Sequence, residues 1–147
     1  MTSLFAALHH ASILTMLACT LVTLHQLGQP ITIRSARLLR RTDLLNGLAA
    51  TLVLAAGLVR VFYLEKGPTY YFGNGPFLVK LGFYGLASVL SLVPMLELRR
   101  WRVSLGQGQV PDLSERKQKI LRVVAWLQLA GLAAMALCAR MAAQGRL

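Results

Sequence analysis

Acidic side chains are scarce in this chain: five Asp and Glu stand against sixteen Lys and Arg over 147 residues. No carboxylate pair, HExxH, GxSxG or Cys/His cluster occurs, so hydrolytic and zinc mechanisms lack their parts. Cysteine is nearly absent. Cys19 and Cys138 lie inside apolar runs without CxxC spacing, which argues against a disulfide framework or a thiolate metal site and for packing roles. The glycines of "YYFGNGPF" read as turn chemistry. No strand precedes them and no GxxxxGK[ST] is present, so they do not form a nucleotide loop. Internal repeats, low-complexity tracts and a second domain are also missing. Only 14% of residues are charged, too few for a soluble domain of this size.

What the chain has instead is apolar length. Hydrophobic residues make up 56% of it, and the mean hydropathy is +0.57. About 20 apolar residues in helix cross a bilayer core, and four stretches suffice: Leu4–Leu24, Leu44–Leu64, Phe77–Leu98 and Ile120–Met141. The first lacks a basic leader and is followed by "HQLGQP" rather than a small-residue cleavage site, so it reads as a retained helix. Between the first two spans, segment 31–41 places Arg34, Arg37, Arg40 and Arg41 at helical spacing, as an interfacial helix or an extension of the second span would. Before the fourth span, "PDLSE" offers Asp112 as N-cap with Glu115 three residues on.

The excess positive charge reports on topology rather than on nucleic acid, because it brackets the apolar runs. Four arginines in the first loop and six Lys/Arg in the third face a single Lys66 in the second. The positive-inside rule then puts loops one and three in the cytoplasm and both termini outside, in a bacterial inner membrane. Short loops favour antiparallel neighbours, so the expected fold is all-α: one integral-membrane domain over 1–147, an up-down bundle of four helices. Gly47, Ala50, Gly57, Gly82, Gly85, Gly131 and Ala134 let helices approach closely.

This topology gathers cations at one depth. His9 and His10 open helix one, Arg60 closes helix two, Lys80 opens helix three and Arg140 closes helix four. Helical spacing puts His9, Ser12, Met16, Thr20 and Thr23 on one stripe and Lys80, Tyr84, Ser88, Ser91 and Met95 on another, both expected to face inward. His10 shares its face with Ile13, Leu17 and Leu21, so His9 is the better candidate for a bundle-lining group. Below Arg60, the face Ala56, Val53, Ala49 and Asn46 is expected to leave space for a ligand. The competing reading is interfacial anchoring: Arg60 and Lys80 snorkel to the membrane surface, Arg60 pairs with Glu65, and Tyr63, Tyr70 and Tyr71 form an aromatic belt. Intramembrane ionisable groups are costly and mark sites or pathways, which favours a site when three share one layer.

An inward histidine can hold haem iron, and cations at the rim can pair with propionates or a carboxylated substrate. His25 lies about 24 Å from His9 along helix one at 1.5 Å per residue, and the other helices carry no histidine. Bis-histidine ligation within one chain is thereby excluded. His/Met, His/Lys, five-coordinate iron or ligation across a homodimer remain.

"ALHH" opening helix one, "GLVRVFYLEKG" closing helix two and "FLVKLGFYGL" opening helix three resemble a family of small bacterial four-helix membrane proteins whose function is not established, over nearly the whole chain. More remotely, the order of "ALH", an arginine before the outer loop and "KL" opening the next helix is similar to the HemJ-type protoporphyrinogen oxidases. That resemblance implies a bacterial membrane enzyme with haem b that oxidises protoporphyrinogen. By that resemblance His9 would ligate iron, and Arg60 and Lys80 would be catalytic pocket residues. His10 and Tyr84 are further candidate cofactor-binding residues by their place in the sequence. The HemJ type has an aromatic-glycine pair in helix one and a further histidine in helix three, where this chain shows "LTMLACT" and "FYGLAS". Two expectations follow: a tetrapyrrole-binding redox protein, or a non-catalytic membrane subunit that docks a lipid or another anionic small molecule.

Overall fold

The computed structural model describes residues 2–64 and 66–143. Five α-helices run α1 (Thr2–Leu27), α2 (Ile33–Val59), α3 (Pro68–Phe72), α4 (Gly75–Gly106) and α5 (Glu115–Ala143), and a π-helical turn, Arg60–Leu64, continues α2. Four of them are long and apolar enough to cross a membrane, and no strand occurs among the described residues. The bundle is an up-down ring. α1 lies between α2 and α5, α4 lies between the same two helices on the far side, and the diagonal pairs do not approach each other. Consecutive helices are therefore antiparallel neighbours, as short connections dictate.

Outward faces are those of a lipid-solvated protein. Leu14, Leu48, Leu86, Val89, Val123 and Leu137 are all more than half exposed. In water such surface would drive aggregation; in hydrocarbon it meets its own kind.

Both α2 and α4 outrun the bilayer. At 1.5 Å per residue, the 27 residues of α2 and the 32 of α4 span about 40 and 48 Å, against a hydrocarbon core of about 30 Å. The excess lies at the basic end. From Ile33 on, segment 31–41 is thus the first turns of α2 and not a separate surface helix. Thr32 starts it with a capping box, its Oγ1 accepting from the Ser35 N–H at 3.1 Å while Ser35 Oγ accepts from the Thr32 N–H at 2.8 Å. Ala36 and Leu39 then pack with Leu27, Leu98, Trp101, Leu105 and Leu121, leaving Arg34, Arg37 and Arg41 exposed on the other side. α4 overruns its expected end at Leu98 for the same reason: Trp101 and Leu105 have that cluster to bury in.

The start of α5 corrects a second boundary. Ser114, not Asp112, caps it, with Oγ accepting from the Lys117 N–H at 3.4 Å; Pro111 and Asp112 lie in the nonhelical connection. Gln118 reaches back to donate to the carbonyls of Leu27 at 2.8 Å and Gln29 at 3.4 Å, satisfying acceptors that the end of α1 leaves open. Lys117 pairs with Glu97 at 3.1 Å, closing α4 on α5.

At the opposite end the chain turns through Gly67, whose φ of +85° is ill-suited to a side chain. α3 follows, with Pro68 at its start, and Asn74 Oδ1 caps α4 by accepting from the Phe77 N–H at 3.1 Å. Phe62, Phe72, Phe77 and Tyr71 form a chain of rings 5.2–6.3 Å apart. Tyr63, by contrast, is 83% exposed.

Candidate functional site

α1 and α2 form the most extensive helix pair, and His9 sits in it. The ring is 7% exposed. Its Nδ1 lies 3.0 Å from the carbonyl oxygen of Val53; a carbonyl only accepts, so Nδ1 carries a proton, and in the neutral ring the other nitrogen then keeps its lone pair. Gly57 makes room: a Cβ there would stand 3.5 Å from His9 Cε1. Below it Ser12 and Thr20 are buried, and their hydroxyls donate to carbonyls one turn back, Leu8 at 2.8 Å and Met16 at 2.9 Å. The polar stripe of the first helix is internally satisfied and faces the bundle.

His10 is placed differently. It is exposed, and its Nδ1 donates to the Ala6 carbonyl of its own helix at 2.6 Å. The two imidazoles meet edge to face with centroids 5.9 Å apart.

Lys80 from α4 and Arg60 from the π-helical turn both come near enough to His9 for their charges to act on its ring. Charges from two further elements thus reach the expected histidine. The π-turn that begins at Arg60 has no sequence signature, and such turns recur at functional sites. The Arg60–Glu65 pairing expected from sequence lies outside the described residues. Arg140 is exposed on α5.

Of the face below Arg60, only Asn46 borders open space. Ala49, Val53 and Ala56 are buried, because small residues there let α1 approach. Space opens on the neighbouring face instead. A cavity of about 290 Å³ runs inside the bundle along α2 and α4, with Gly47, Ala50, Tyr84, Ser88, Ser91 and Met95 among its walls, Met16 and Thr20 of α1 and Gln128 and Met135 of α5 closing it from behind, and Arg40, Asp43 and Arg99 at its basic end. Tyr84 Oη donates to the Ala50 carbonyl at 2.8 Å, which ties α4 to α2 at one end of this cavity; His9 is not among its lining residues. Residue spacing alone placed Tyr84 inside the bundle; the cavity beneath it came from helix packing that no local pattern encodes.

No group of three or more His, Cys, Asp or Glu side chains gathers among the described residues. Cys19 and Cys138 are free thiols, the first buried.

A family described as a predicted membrane protein, DUF2214, matches residues 1–146. The chain belongs to the DUF2214 family. No curated protein and no solved structure matches it. In this DUF2214 protein the chemistry-bearing groups therefore fall into two places: a cationic layer around His9, and an amphipathic cavity beneath Tyr84.

Proposed function

We propose that this DUF2214 protein is a bacterial cytoplasmic-membrane protein that binds an acidic small molecule at the His9, Arg60 and Lys80 layer, with both termini outside. The reach of the Arg60 and Lys80 charges to His9, from two further elements, carries the reading. A planar guanidinium grips a carboxylate through two parallel hydrogen bonds, an ammonium acts as a point charge, and an imidazole between them adds a third polar contact. A dicarboxylate such as a tetrapyrrole matches that set.

A second reading, haem b at this layer, is favoured by the His9 tautomer. An imidazole whose Nδ1–H is held by a backbone carbonyl offers Nε2 to a metal. His9 would then hold the iron and Arg60 and Lys80 the propionates or a porphyrinogen substrate, and bound haem would supply one-electron chemistry. The donors fit; room for the macrocycle requires α2 and α4 to part where Tyr84 now joins them. Function as a docking subunit, alone or as a homo-oligomer, is the alternative against which both are tested.

The test uses protein in nanodiscs titrated with protoporphyrin IX and, separately, haemin. Binding of either should weaken about tenfold or more in Arg60→Lys and in Lys80→Arg, because each swap replaces one charge-assisted geometry by another. Haemin binding with a Soret band that His9→Ala abolishes supports the iron reading. Absence of binding by the wild type, or swaps that behave as wild type, means that the pair only anchors the helices.

A further inference from the structure

The cavity below Tyr84 is a second place, independent of the His9 layer. Along α4 its walls run from Tyr84 to Arg99, about 22 Å at 1.5 Å per residue. It is narrow for that length, and its volume stands at the lower limit of small-molecule sites. Gly47 and Ser88, on facing helices, are exposed while they line it, so the cavity opens sideways between α2 and α4 into the surrounding lipid. Its walls near Tyr84 are apolar and hydroxylic; at its basic end stand Arg40, Arg99 and Asp43, a net charge of +1. Between the two, the side-chain oxygen of Asn46 is fully enclosed and accepts no hydrogen bond. Asn46 lines the cavity through the rest of its side chain or its backbone, not through this oxygen.

We propose that this cavity binds a single-chain anionic amphiphile taken laterally from the bilayer, its acid head at Arg40 and Arg99 and its tail along α4 toward Tyr84. Length, width and lateral opening select one hydrocarbon chain over a two-tailed lipid or a macrocycle. The two guanidiniums select an acid over an alcohol, and Asp43 limits the head to a single negative charge.

The experiment is photolabelling of the full chain in phosphatidylcholine nanodiscs, with palmitate carrying a diazirine in its tail and with the matching hexadecanol. The acid should label residues of α2 and α4 around Gly47, Ala50 and Ser88. Excess palmitate should suppress that labelling. Arg99→Gln and Arg40→Gln should each weaken acid labelling about tenfold and leave the alcohol unchanged. Gly47→Phe, which fills the lateral opening, should abolish labelling by both probes, and Arg60→Lys should change nothing. Equal labelling by acid and alcohol, labelling confined to outer helix faces, or suppression by phosphatidylglycerol nanodiscs, which makes the occupant an ordinary phospholipid, each overturns the proposal. The two arginine variants alter exposed or half-exposed groups, so the inference stands open to refutation even if Gly47→Phe fails to fold.

Discussion

Replacing His9 separates its packing role from a ligand role. In His9→Ala the hydrogen bond to Val53 is lost, worth about 0.6 and at most about 1.7 kcal/mol between membrane helices. The ring's contacts across the α1–α2 joint near Gly57 disappear as well. About ten atom pairs at 0.1–0.2 kcal/mol each amount to roughly 1–2 kcal/mol, so the expected total is about 2–3 kcal/mol. In His9→Asn the amide nitrogen occupies the place of Nδ1 and can still donate to Val53, so about a quarter of that loss should return. Asn has no atom at Nε2, however, and any ligand held there should be lost from both variants. His10→Ala removes an exposed ring bonded only within its own helix and should stay within about 0.5 kcal/mol of the wild type. Reversible unfolding by SDS in mixed micelles, followed by circular dichroism, gives the stabilities. The reasoning fails if His10→Ala is as costly as His9→Ala, or if Asn restores no more than Ala.

Reporter fusions at Leu147 and in the "GQGQ" connection should report the C-terminus outside and that loop in the cytoplasm; the reverse pattern refutes the charge argument. A Cβ at Gly57 would make ordinary contact with His9, so Gly57→Ala should be near neutral. Gly57→Leu should push the ring off Val53 at a cost of about 1–3 kcal/mol, read in the same unfolding assay. Thr32→Ala removes the capping box of α2 and should cost about 1 kcal/mol, with the basic end made more open to proteolysis in Gln29–Ile33.

Span number and helical class were legible in the sequence, because each depends on a property that hydrocarbon solvent reads locally. Twenty apolar residues must form a helix when no water is present to satisfy the backbone, and depth follows from counting residues along it. The inward side of α1 was legible too, since Ser12, Met16 and Thr20 recur at helical spacing with His9. Facing relationships were not. Whether Ala49, Val53 and Ala56 or Gly47 and Ala50 border empty space depends on how closely α1 and α4 each approach α2, and all five residues are small. The overrun of α4 past Leu98 likewise depends on Trp101 and Leu105 finding Leu27, Ala36 and Leu39 across the bundle. Sequence periodicity determines which side of a helix is polar; only the packed bundle decides which neighbour that side meets and where the neighbours leave a gap.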